Sequence, residues 1–94
     1  MHHHVTINYC SQCKWMLRAS WMAQELLNTF DGDIASLTLR PGTGGIFDVR
    51  VDNKLVWLRK QEGRFPDISE LKQRVRDMLD PHRQLGHNDS KRHH

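Results

Sequence analysis

The two cysteines of this chain, Cys10 and Cys13, are separated by Ser11 and Gln12. Cysteines at this spacing support three chemistries. In the first, two residues of helical turn bring the sulfurs within bonding reach, so one thiolate attacks and the other resolves. The second is metal binding. A structural zinc site needs about four ligands, and the chain offers one Cys pair, with His2, His3 and His4 before it and the other histidines in the C-terminal tail. No second pair has finger-like spacing. The third is burial as small apolar residues, which leaves the polar Ser11-Gln12 insert unexplained. Dithiol/disulfide exchange is the leading reading. No acid–base residue is evidently paired with the cysteines.

The elements around the pair decide how it can act. Val5, Ile7 and Tyr9 alternate with Thr6 and Asn8, a strand pattern of period two. From Ser11 the period changes. Trp15, Ala19, Met22, Leu26 and Phe30 line one helical face, widened by Met16, Ala23 and Leu27. Trp15 and Met22 read as core, and Trp21 fits neither stripe and is expected at an edge or partly exposed. Asp31-Gly32-Asp33 closes the helix. This reading puts Cys10 near the helix N-cap and Cys13 near the third helical position. The unpaired N–H groups and partial positive charge of a helix start favour thiolates. Cysteines so placed, or in this motif, have pKa values lowered from about 8.5 to roughly 3.5–7.5. Lys14 adds a neighbouring positive charge. On this ground Cys10, nearer the cap and expected to be more exposed, is the better nucleophile. The motif gains specificity from following the first strand of a β-α-β unit.

Beyond the first helix, Ala35, Leu37 and Leu39 alternate in a second strand. Arg40 to Gly45 is a loop by composition. Phe47, Val49 and Val51 mark a third strand, and residues 55–59 a fourth, joined by the short turn Asp52-Asn53-Lys54 into an antiparallel hairpin. Lys60 to Arg64 is a charged loop. Phe65-Pro66 leads into a second helix, where Asp67 and Glu70 have capping-box spacing and Ile68, Leu71, Val75, Met78 and Leu79 form an apolar face ended by Asp80-Pro81. The order β-α-β-β-β-α predicts an α/β two-layer sandwich: helices on a mixed four-stranded sheet, the first two strands parallel. Residues 5–80 form this domain. Residues 1–4 are a His-rich end, native or the relic of a tag, and residues 81–94 a polar tail expected to be disordered.

Composition narrows the partners. The 94 residues are 37% hydrophobic and 27% charged, suited to one small globule. No apolar run approaches the roughly 18 residues of a membrane span, and no secretory signal pattern is present. Two cysteines are too few for a disulfide scaffold, so a reducing, cytoplasmic setting is expected. Of the net charge of +3, the tail after Pro81 carries +2 through Arg83, Lys91 and Arg92 against Asp89. That distribution argues against a nucleic-acid partner.

Three stretches together resemble the selenoprotein W-related (Rdx) family, thioredoxin-like proteins that include selenoproteins W, T and H. They are Tyr9-Cys10-Ser11-Gln12-Cys13 after the first strand, Gly42-Thr43-Gly44-Gly45-Ile46-Phe47-Asp48-Val49, and Gly63-Arg64-Phe65-Pro66-Asp67 leading into residues 71–77. The resemblance covers about residues 5–80. It implies a thioredoxin-like fold and a thiol redox role at Cys10 and Cys13, with Ser11, Gln12 and Lys14 in support. In selenocysteine-bearing relatives selenium stands where Cys13 stands here, which favours Cys13 as the reactive sulfur. The helix argument favours Cys10, and the two stay opposed at this level. Unlike thioredoxin, which has a cis-proline before the strand facing the active site, this chain has Gly44-Gly45 there, with Pro41 several residues early. Thr43, Gly44, Gly45 and Phe47 are then candidates for a substrate-facing loop; the alternative is an ordinary turn.

The expected function is a thiol–disulfide redox protein acting on an oxidised thiol or peroxide, with no bound cofactor or metal and with glutathione as a co-substrate in a glutathione-linked or antioxidant role. The alternative is a non-enzymatic, redox-sensitive adaptor that grips a partner protein through the sheet edge or Trp57.

Overall fold

The structure, a computed structural model, describes residues 3–82. The expected tail therefore lies almost wholly outside the described residues, as do Met1 and His2. Strand β1 (His3–Cys10) is followed by helix α1 (Met16–Thr29), strands β2 (Ile34–Gly42), β3 (Phe47–Val51) and β4 (Lys54–Leu58), and helices α2 (Arg59–Glu62) and α3 (Ile68–Leu79). The sheet order is β2-β1-β3-β4. β1 runs parallel to β2, and the β1–β3 and β3–β4 pairs are antiparallel.

Alternation along β1 explains the layering. Val5, Ile7 and Tyr9 are buried against one face of the sheet, where they join Ala19, Met22, Leu26 and Phe30 from the first helical segment and Leu71 and Val75 from α3. Thr6 and Asn8 point to the opposite face, where Asn8 pairs in register with Asp48 and donates its side-chain N–H to that carboxylate at 2.7 Å. Asp48 is buried, and the Arg50 guanidinium lies 3.5 Å away, so the carboxylate keeps two polar partners. β1 starts two residues before Val5. His3 and His4 join it, anchored when the Asp52 carboxylate takes the His3 ring at 2.6 Å and the His4 backbone N–H at 2.9 Å. These two contacts hold the Asp52 carboxyl below the usual range, the His3 bond contributing most.

Several expectations need correction. β2 runs on through Arg40-Pro41-Gly42, which composition alone reads as loop. Proline is tolerated there because β2 is an edge strand, paired only with β1. The expected charged loop after β4 contains the single helical turn α2, closed by Gly63 in the left-handed conformation. Only half of the expected capping box forms at α3: the Asp67 side chain makes no capping bond, while Glu70 keeps a contact with the Asp67 backbone and is held chiefly by two bonds from Arg64 at 2.9 and 3.0 Å. The Arg64 contact, with a smaller contribution from the Asp67 backbone, lowers the Glu70 pKa.

Trp57 is buried, at 1% exposure, and not a surface patch. The cause is an irregularity between Val49 and Arg50, which pair with Trp57 and Leu55. Val56 is the extra residue, so the inside–outside alternation breaks and consecutive Val56 and Trp57 both turn inward. The Trp57 indole N–H donates to the Arg64 carbonyl at 3.1 Å, and the Arg74 and Arg64 guanidinium groups lie 4.4 and 5.0 Å from its ring. Trp21 is half exposed, as expected. Met16 and Leu27 are also largely exposed and do not widen the core stripe as the periodicity suggested.

Candidate functional site

All the candidate residues gather at one end of the sheet. Cys10 ends β1 opposite Gly42 of β2, Phe47 opens β3 opposite Tyr9, and Leu58 closes β4 beside it. β1 lies between the strand it feeds through α1 and the strand that follows β2. Open α/β sheets place ligands outside the carboxyl ends of strands at such a reversal.

The sheet hands the chain over to a tight turn. The Ser11 N–H donates to the Gly42 carbonyl at 2.9 Å, extending the β1–β2 ladder by one rung. The Lys14 N–H donates to the Ser11 carbonyl at 3.0 Å, and the Trp15 N–H to the Cys10 carbonyl at 3.4 Å. Closing so short a loop forces Lys14 to a φ of 64°, a conformation that disfavours side chains with a Cβ. Cys10 and Cys13 are joined as a disulfide across this turn, with Cα atoms 5.3 Å apart.

This geometry corrects the electrostatic argument. Helix α1 begins at Met16, with Trp15 as its N-cap, so neither cysteine lies in the first helical turn. The N–H group that reaches a sulfur is that of Cys13, which donates to Cys10 Sγ at 3.2 Å. The start of α1 still bears on the site, because it has no side-chain cap and no acidic residue in its first turn. Its partial positive charge is left uncompensated, two residues beyond Cys13. Exposure also reverses the expected order: Cys10 is 1% exposed, whereas Cys13 is partly open to solvent.

Ser11, Gln12 and Lys14 are exposed around the pair. Tyr9, Ser11, Lys14, Met16 and Leu17 line a shallow pocket of about 390 Å³ beside it. Thr43 and Gly44 are exposed and Gly45 partly so. Gly44 and Gly45 have φ values of 74° and 75°, and nothing lies within 4 Å of where a Cβ would be, so the turn's conformation, not a close backbone approach, demands glycine. Phe47 is buried rather than facing outward.

Sequence reasoning missed an aromatic cluster built on Trp15, two residues after Cys13. The rings of Trp15, Phe47 and Phe65 meet edge to face, with Phe65 4.8 Å from Trp15 and 5.0 Å from Phe47. The Arg18 guanidinium stacks 4.1 Å from the Phe65 centroid, and that of Arg59 lies 4.8 Å from Phe65 and 4.9 Å from Trp15. The Trp15-to-Arg18 spacing of one helical turn was readable. The arrival of Arg59 and Phe65 was not, since it depends on where β4 ends. Among the described residues, no group of three His, Cys, Asp or Glu side chains is arranged to hold a metal ion, and no helix is long and apolar enough to cross a membrane.

A mixed sheet in this order, helices packed on it, and a Cys-X-X-Cys disulfide at the end of β1 define a thioredoxin-like α/β protein. The chain belongs to the Rdx family, whose model matches residues 4–77. It is similar to a selenoprotein W-related protein from Vibrio cholerae, at 49% identity and a TM-score of 0.83, over 85% of this chain and 100% of that one. It is also similar to a protein of known structure from Bordetella parapertussis, at 51% identity and a TM-score of 0.80, over 82% of this chain and 98% of that one. No match is found among curated proteins.

Proposed function

We propose that the protein is a thiol–disulfide oxidoreductase in which Cys13 is the attacking sulfur and Cys10 the resolving one. The observation that carries this reading is the asymmetry of the disulfide: one sulfur partly open at the end of β1, its partner buried behind it. In the reduced pair, the Cys13 thiolate attacks one sulfur of an oxidised substrate and expels the other half as a thiolate. Cys10, as thiolate, then attacks Cys13 Sγ in the mixed disulfide and releases the second half. The pair loses two electrons, and the substrate disulfide takes up two protons and becomes two thiols. With a peroxide, Cys13 becomes a sulfenic acid as the peroxide is reduced to alcohol or water, and Cys10 condenses with it, releasing water.

The Cys13 N–H directed at Cys10 Sγ supports the division of labour. It stabilises negative charge on Cys10, which burial alone would disfavour. Cys10 is thus a competent leaving group when an external thiol reduces the oxidised pair at Cys13. Glutathione is our proposed reductant, the exposed Thr43-Gly44-Gly45 turn our proposed substrate-facing loop, and a reducing compartment such as the cytoplasm the setting in which the pair cycles in redox homeostasis. The adaptor alternative loses Trp57, which is buried, and keeps the sheet edges formed by β2 and β4. The test is a redox titration in glutathione buffers, with alkylation and intact-mass readout. The reading expects one two-electron couple between dithiol and Cys10–Cys13 disulfide. A pair that stays in one state across all buffers would remove it.

A further inference from the structure

We infer that Arg59 and Arg18 form a carboxylate-binding subsite beside the cysteine pair, selecting disulfides that carry a negative charge close to the sulfur. This rests on the oxidoreductase reading and adds the substrate class. The first observation is that the two cations are left over. Arg50, Arg64, Lys72, Arg74 and Arg76 each have a carboxylate within 4.0 Å. Among the described residues, Arg18 and Arg59 have none, like Lys14, Arg40, Lys54 and Lys60, but these two alone of the six are held against aromatic rings, those of Phe65 and Trp15. Two carboxylates of the same segment are already engaged, Glu70 by Arg64 and Glu62 by Arg74.

The second observation is that the Arg59 Nε is buried with no hydrogen-bond partner. Burial of Nε leaves the guanidinium charge poorly solvated, and the Nη groups, which are not buried, are the ones an incoming acceptor would meet. A carboxylate is the natural acceptor, since it takes two N–H bonds from the guanidinium fork. The third is placement. Both cations sit against one phenylalanine, so an anion held there would be attracted by both. Trp15, which Arg59 also covers, follows Cys13 by two residues and is bonded through its backbone to Cys10. The uncapped start of α1 and Lys14 add positive charge at the same end. A small disulfide lying across Cys13 would thus have its reacting sulfur at the pair and its carboxylate on Arg59, with Arg18 as the second positive charge.

The test uses the reduced full chain and three small disulfides of one size: 3,3′-dithiodipropionate, bis(2-hydroxyethyl) disulfide and cystamine. These are anionic, neutral and cationic. Each oxidises the pair to the Cys10–Cys13 disulfide while being reduced to two thiols, and quenched intact mass gives the rates. The readout is the ratio of the anionic to the neutral rate, with cystamine giving the opposite limit. Arg59→Gln and, separately, Arg18→Gln should each lower this ratio by about three- to five-fold at low salt, the range expected for one screened charge pair. Arg59→Lys should recover part of it. Lys54→Gln, which removes a charge at the β3–β4 turn, should leave the ratio at the parent value. Ratios unchanged in both arginine variants, or lowered equally by Lys54→Gln, overturn the subsite while leaving the redox reading intact. Failure of all three disulfides to oxidise the parent pair overturns both.

Discussion

Replacing Phe65 by leucine tests whether the aromatic cluster beside the cysteines is held by its electronic character or only by its bulk. Leucine retains most of the apolar volume but has no ring quadrupole. Phe65 meets Trp15 and Phe47 edge on, at 4.8 and 5.0 Å, and lies beneath two guanidinium groups, at 4.1 Å for Arg18 and 4.8 Å for Arg59. An edge-on aromatic pair contributes about 0.5–1.5 kcal/mol beyond burial, and a cation over a partly exposed ring about 0.5–1 kcal/mol. Phe65 is only partly buried, which favours the low end of each range. The four contacts together then give a loss of about 2 kcal/mol. Urea unfolding of the oxidised protein measures it. With a slope near 1 kcal/mol/M for so small a domain, the midpoint should fall by about 2 M at unchanged slope. A double-mutant cycle with Arg18→Gln should show a coupling energy of at least about 0.5 kcal/mol. A loss below about 0.5 kcal/mol, or strict additivity with Arg18→Gln, would show that Phe65 is apolar filler and refute the argument.

Two further predictions follow from backbone and charge. Lys14→Gly should raise stability by about 1 kcal/mol, because a φ of 64° costs a residue with a Cβ more than it costs glycine; thermal unfolding of the oxidised form checks it. Asp52 and Glu70 both have folded pKa values below the ordinary carboxylate range, through bonds to His3 and Arg64 respectively. Their contribution is therefore complete above about pH 5 and is lost as pH falls through the lowered folded values. The double variant Asp52→Asn, Glu70→Gln should flatten the acid limb of stability against pH below about pH 4, and an unchanged limb would contradict the assignment.

Much of the framework was legible because its cause is local. Val5-Ile7-Tyr9 and Phe47-Val49-Val51 alternate cleanly, since each strand buries one face against helices, and period two records that. The α3 stripe was equally plain: Leu71 and Val75 are fully buried, and Ile68, Met78 and Leu79 pack against the core, partly buried. What the sequence hid depends on contacts between distant residues. The apolar spacing that includes Trp15 runs straight through the turn, so nothing in it reports that Lys14 goes left-handed and delays α1 to Met16. That delay decides the chemistry, because it takes both cysteines out of the first helical turn and leaves Cys10 buried. Trp57 was misread for a similar reason, since one extra residue in β4 shifts its face and no composition signal marks the shift. Arg59 read as the last residue of the fourth strand, but β4 ends at Leu58 and Arg59 opens α2, which brings it over Trp15 and Phe65.

The division of roles between the two sulfurs is tested most directly by trapping. Reduced Cys10→Ser and Cys13→Ser proteins would each be mixed with oxidised glutathione and the adducts located by mass. The account predicts a stable mixed disulfide on Cys13 in Cys10→Ser, formed at least about ten times faster than any adduct on Cys10 in Cys13→Ser, since buried thiols are the inert ones. Equal rates, or preferential labelling of Cys10, would contradict it.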